Sequence, residues 1–306
     1  MAAKAPSSLP APLAGLRVAV TRSADRASAL ADALAAAGAL PVLVPLIDFE
    51  SAPGAELGEA LDRLAAGEYA WLVVSSITTV RAMKQWCDDA STTLAAFVPA
   101  GTRVATIGPT SVAVLEAEGI HVDLAPVDLQ SAAGLVALWP GAPVGGNTRV
   151  LLPQSNIAEA TITDGVAAQG WSPEAVTAYK TVDYPADAGK RLTATLAHAA
   201  KDLVRPEQQL NYPQLTPAEA ARDAQGGLIG AVVLASPSAA KRVANTMAPL
   251  PDTCLVIAIG QPTRAAAEGL GLRVAATATH PTPEGIVAAL AAARTTVKIA
   301  IQEIPK

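Results

Sequence analysis

Residues 103–119, RVATIGPTSVAVLEAEG, and residues 254–271, CLVIAIGQPTRAAAEGLG, are built on one plan. In each, a β-branched run ends at Ile-Gly, two or three small or polar residues follow, and an Ala-rich stretch closes on glycine. A short apolar run, a turn and a helical stretch stopped by a glycine that can adopt positive φ describe a strand feeding a helix. Two copies of such a corner, far apart in one chain, imply two related lobes rather than a solenoid of many small units.

A second pair supports the repeat: VVSSITTVRAM (73–83) resembles VLASPSAAKRV (233–243), and a weaker match relates 16–50 to 148–184. Between them, β-branched runs alternate with Ala/Leu-rich stretches, the pattern of parallel sheets covered by helices on both faces. Strands are expected at 16–20, 41–46, 70–75, 103–107, 121–125, 148–152, 174–179, 229–235, 254–259 and 272–276. The helix expected over 25–37 carries Leu30 and Leu34 on one face and stops at Gly38, and Gly119, Gly170 and Gly271 repeat the punctuation. At 306 residues the chain exceeds what one core usually holds. The fold class is α/β: two similar parallel-sheet, three-layer lobes.

The composition, 51% hydrophobic and 16% charged, suits packed cores and not disorder. Net charge is −5 and the basic residues are scattered, so no stripe exists to bind nucleic acid or an anionic membrane. Cys87 and Cys254, far apart and outside any C-x-x-C pattern, read as buried packing residues of a reducing compartment. Residues 1–14 lack the unbroken apolar core of a secretory signal and are expected to form a flexible tail. No apolar run reaches ~18 residues, so the expected location is the cytoplasm. Residues 201–227, polar and unmatched in the repeat, are expected to be a surface insertion, and 295–304, TTVKIAIQEI, alternates like a half-exposed strand.

Several chemistries lose their ground. There is no G-x-G-x-x-G after the first strand, no phosphate-loop motif, no H-E-x-x-H and no G-x-S-x-G. His121, His198 and His280 have no helical partner histidine, so no metal site is expected. What remains is a set of small polar residues at expected strand ends: Thr21 and Arg22, Ser75 and Ser76, Gly108 with Ser111, Ser155 with Asn156, Ser236 with Ser238, and Gly260 with Thr263. Ligands of parallel α/β sheets bind beyond those ends, where free amides and the positive helix terminus favour anions. For any one serine, helix capping alone is the simpler reading, and repetition at equivalent corners favours a shared site for a small polyanion. Tyr179, in AYKTVDY, ends the strand leading from one lobe toward the other. A phenol facing a cleft there could donate a proton or hydrogen bond; burial in a lobe core would count strongly against an enzyme built on it.

These residues meet a known family. V-T-R in the first corner, Ser-Ser at 75–76, I-G-x-x-[Ser/Thr] at 107–111, A-Y-K-T-V at 178–182, the serine corner at 236–238 and I-G-x-x-Thr at 259–263, in that order, resemble uroporphyrinogen-III synthase across about residues 15–293. The resemblance implies two lobes joined by two strand-like linkers, with an active cleft between them: 15–45 plus 182–293 in one, 49–178 in the other, and 294–306 as a C-terminal tail. It implies a cofactor-independent cyclising lyase that converts hydroxymethylbilane, a linear tetrapyrrole with eight carboxylates, into uroporphyrinogen III through a spiro-pyrrolenine, inverting ring D and losing water. By similarity to the family's Y-x-T element, Tyr179 assists departure of the hydroxyl, with Thr181 a structural neighbour, and the polar corners hold carboxylates. A monomer that touches the upstream bilane synthase only transiently would follow. The chain departs from the family at LLPQSNIAEA (151–160), where a more charged stretch is usual, and at SSITT (75–79), which lacks a common Asn. A non-catalytic two-lobe binding or sensor module would use the same architecture. A nucleotide-sugar transferase would need acidic or histidine contacts that have no place in the pattern.

Overall fold

The computed structural model describes residues 11–22, 24–52, 54–196 and 212–302. The chain divides into two compact units, residues 1–47 with 207–306, and residues 48–206. The first unit begins with β1 (Arg17–Val20), α1 (Ala24–Ala36) and β2 (Leu40–Leu43). The second contains β3 (Ile47–Ser51), α2 (Glu56–Ala65), β4 (Trp71–Val74), α3 (Ile77–Asp89), β5 (Arg103–Thr106), α4 (Pro109–Ala117), α5 (Ala132–Leu138), β6 (Arg149–Ser155), α6 (Thr161–Ala168) and β7 (Ser172–Asp183). The first unit then resumes with α7 (Pro217–Gln225), β8 (Ala231–Leu234), α8 (Pro237–Thr246), β9 (Leu255–Ala258), α9 (Gln261–Gly269), β10 (Val274–Thr277) and α10 (Pro283–Gln302).

The first unit's sheet runs β10-β9-β8-β1-β2, with β1 parallel to both β2 and β8. Every residue of β8 (AVVL) and β9 (LVIA) is buried, as expected where helices cover both faces. Ala231 and Val233 pack with Leu30 and Leu34 of α1 and Leu290 of α10. Val232 and Leu234, pointing the other way, pack with Ala220, Ala240 and Ala267 of α7, α8 and α9. Three layers follow directly from that alternation.

The second unit repeats the plan in a sheet ordered β3-β7-β6-β4-β5. Leu72 and Val74 face Leu61 of α2 and Met83 of α3. Trp71 and Val73 face Leu135 of α5, Val166 of α6 and the indoles of Trp139 and Trp171. Each fully buried Leu or Val contributes roughly 1.5–3 kcal/mol of transfer free energy. At the far end of β5 the buried Thr106 hydroxyl donates to the Val74 carbonyl at 2.6 Å. Thr21, just beyond β1, does the same to the Val233 carbonyl at 2.6 Å.

The expected alternation of strands and helices is present, and Gly38, Gly119, Gly170 and Gly271 all take positive φ after their helices. Five local expectations need correction. Residues 295–302 continue α10 instead of forming a strand, and the Thr295 and Thr296 hydroxyls bond back to the Ala291 and Ala292 carbonyls one turn earlier. The stretch read as an insertion contains α7, started by a Thr216–Glu219 capping box and buried through Ala220 and Ala224; residues 197–211 lie outside the described residues. Residues 121–125 make a single bridge, Ala105 to Leu124. Leu13, expected in a loose tail, is fully buried, while residues 1–10 lie outside the described residues. Leu192 and Leu196, expected with the first lobe, join the second unit's core.

Candidate functional site

Tyr179 owes its direction to an irregularity in β7. Pairing with β6 advances from Gln154–Thr177 to Ser155–Tyr179, so two residues of β7 oppose one of β6. Strict alternation would send Tyr179 away from the face that buries Val176 and Ala178. The bulge turns it onto that same face.

The ring is 7% exposed and meets Phe49 edge-on, with centroids 5.6 Å apart. The expectation of an open phenol is therefore corrected: the ring belongs to a core, the placement that counts against a catalytic role for it. Its hydroxyl, however, reaches past the intervening β6 to the corner after β4, where it lies 3.3 Å from Ser76 Oγ. Ser76 is the N-cap of α3, accepting the Thr79 amide at 3.2 Å and lying 3.1 Å from Thr79 Oγ1. Thr79 is completely buried. A line of three hydroxyls thus runs inward from the phenol.

The corner after β6 holds β7 beyond its bulge. Asn156 gives its amide to the Tyr179 carbonyl at 3.1 Å and accepts the Thr181 amide on Oδ1 at 2.8 Å. Ser155 Oγ lies 2.9 Å from Thr181 Oγ1. Both polar side chains of this corner are engaged with the strand that carries Tyr179.

Of the other expected residues of the second unit, Ser75 is half-buried beside Ser76, Gly108 is the N-cap of α4, and Ser111 is buried in the first turn of that helix. In the first unit, the Thr21 hydroxyl is committed to Val233 and Arg22 is half-buried next to it. Ser236 caps α8 by accepting the Ala239 amide at 3.1 Å and lies 3.0 Å from Ser238 Oγ. Gly260 is the N-cap of α9, and Thr263, buried at 2% exposure, sits in its first turn. The equivalent glycine-and-proline openings of α4 and α9 match the repeat.

A charged cluster unforeseen in the sequence lies at the opposite, N-terminal ends of strands β4, β6 and β7 of the second unit. Glu174 accepts from the Tyr69 hydroxyl at 2.8 Å, from Arg149 at 2.9 Å and from Arg63. Arg149 also pairs with Glu68. Burial disfavours the Glu174 carboxylate, but the three donors outweigh it and hold the carboxyl below its ordinary range. Burial, foremost, pushes the Tyr69 phenol up. Nothing adjacent in sequence signals this cluster, because its members come from α2, the approach to β4, β6 and β7. Among the described residues no helix is long and apolar enough to cross a membrane, and no three His, Cys, Asp or Glu side chains are grouped to hold a metal ion.

Among solved structures, a mutant uroporphyrinogen III synthase from the extremely thermophilic bacterium Thermus thermophilus aligns over 94% of this chain and 100% of its own, at 14% identity and a TM-score of 0.51. The uroporphyrinogen-III synthetase of Helicobacter pylori aligns over 93% of this chain and 99% of its own, at 11% identity and a TM-score of 0.47. At such identities the first likeness speaks for the fold alone. No curated protein matches the chain. The family model described as uroporphyrinogen-III synthase HemD matches residues 28–288, through both units, and the chain therefore belongs to the uroporphyrinogen-III synthase family.

Proposed function

We propose that this member is an active synthase that closes hydroxymethylbilane to uroporphyrinogen III, inverting ring D and losing water, without a cofactor. The observation that carries the reading is the family match across residues 28–288. Tyr179 is the acid in this proposal. The Tyr179 oxygen stands at a polar strand-end corner, although its ring is buried.

In the proposed reaction the phenol gives its proton to the departing hydroxyl, the C–O bond breaks and water leaves. Ring closure passes through the spiro-pyrrolenine, and the phenolate recovers a proton when the pyrrole regains aromaticity, so acid and base roles fall on one oxygen. Burial of the ring limits Tyr179 to a short-range transfer and puts most of the catalysis on positioning, which must favour inverted closure over the spontaneous, unrotated one. The amide-bearing openings of α3, α4, α8 and α9 are proposed to hold the carboxylates. On this reading the protein works in the cytoplasm.

The test is product analysis. Freshly made hydroxymethylbilane is supplied, and the oxidised products are separated into type I and type III uroporphyrin. Predominantly type III product is expected, formed at least tenfold more slowly by Tyr179→Phe. Type I alone, as in a blank without protein, would overturn the assignment.

A further inference from the structure

We infer that Ser76 acts as a positioning residue for the Tyr179 phenol, aiming its proton outward, and not as a ligand for a substrate carboxylate. The inference rests on the catalytic reading of Tyr179 above. It follows from counting donors and acceptors around one oxygen.

Ser76 Oγ has one proton and two lone pairs. The Thr79 amide, at 3.2 Å, occupies one lone pair. Thr79 Oγ1 lies 3.1 Å away on a completely buried side chain, and we assign its proton to the second lone pair because a buried hydroxyl proton needs an acceptor and Ser76 Oγ is in reach. Ser76 then has its own proton left, and the phenol oxygen 3.3 Å away is the acceptor in reach. With the phenol oxygen accepting from Ser76, the phenolic proton is free to point away from the helix cap, toward the hydroxyl that must leave.

The same arrangement depends on the bulge in β7. Without it Tyr179 would face the other side of the sheet, away from Ser76. It also separates Ser76 from Ser236, which caps its helix in the matching corner of the repeat but has Ser238 as its hydroxyl neighbour. The two serines share the capping geometry and differ in what the free proton serves.

The experiment compares Ser76→Ala, Ser76→Gly and Ser76→Thr with the wild-type chain. Glycine is an accepted N-cap without a hydroxyl, so Ser76→Gly keeps the helix start should alanine prevent folding. Both hydroxyl-free variants are expected to lose about tenfold in kcat, with KM changed less than twofold, and threonine is expected to restore most of the loss. In chains labelled at tyrosine Cζ, the Tyr179 signal, identified by its absence in Tyr179→Phe, is expected to move in Ser76→Gly. A raised KM with unchanged kcat would overturn the inference and return Ser76 to carboxylate binding, as would a stationary Tyr179 signal. Absence of type III product from the wild-type chain would sink the synthase reading itself, whereas wild-type activity with a KM-only effect would sink this inference alone.

Discussion

Asn156 grips β7 on both sides of Lys180: its backbone N–H donates to the Tyr179 carbonyl and its side-chain oxygen accepts the Thr181 amide at 2.8 Å. A bulged parallel strand has lost part of its ladder, and this side chain supplies the missing partner. Asn156→Ala is expected to lower type III formation several-fold while shifting unfolding stability by about 1 kcal/mol or less, because the two hydrogen bonds lost, from the Thr181 amide and the Ser155 hydroxyl, are exposed. Steady-state kinetics beside urea unfolding checks this. Equal losses of activity and folded fraction would show the residue to be merely structural.

The threonines at the strand ends offer a stability test inside each unit. Thr106→Val removes the buried donor to Val74, and Thr21→Val removes the donor to Val233. Each is expected to cost about 1 kcal/mol, read as a lower urea midpoint, since valine keeps the shape and loses only the hydrogen bond. Unchanged midpoints would assign the threonines no stabilising role.

Acid should reach the second unit through Glu174. Its carboxyl is held below the ordinary 4.5 by donors that outweigh burial, so its folded pKa is lower than its unfolded one. The corresponding stability is present in full above pH ~4.5 and is lost as pH falls through the folded value. Glu174→Gln is therefore expected to be less stable than wild type at pH 7, with the gap closing below pH 4. A gap independent of pH would remove the ion cluster from the acid response.

Both thiols should be silent in the folded chain. Burial pushes Cys87 and Cys254 up to about 11, and in Cys87 the Asp88 carboxylate adds to the effect. At pH 8 an aromatic disulfide reagent is expected to find no rapidly reacting thiol until guanidinium is added, when two react. Rapid labelling of the native chain would reveal an opening of one core.

The sequence was most readable where local signals agreed. Strand β9 and helix α9 combine a β-branched run, a Gly-Gln-Pro opening and a glycine stop, and all three survive in the structure. Helix α7 was equally announced by Thr216 and Glu219 three residues apart, but the polar stretch around it hid a signal that was present. In 295–302 a two-residue apolar alternation suggested a strand, and the stretch instead extends the Ala-rich helix that precedes it. Tyr179 could be picked out but not aimed, since period-two reasoning fails at a bulge that only pairing reveals. The polar partners of its corner, Ser76 and Asn156, lie 103 and about two dozen residues away in sequence, and their roles came from geometry.

The pairing of Val18 with Ala231 has a temporal meaning as well. The ribosome releases β1 and β2 early, yet their sheet is incomplete until β8 follows, roughly ten to forty seconds later at ordinary elongation rates. All strands of the intervening unit emerge within that interval. The nascent chain thus carries an unfinished sheet edge through much of its synthesis, and a chaperone that shields residues 17–43 during that wait should raise the yield of native protein more than one acting on the completed chain.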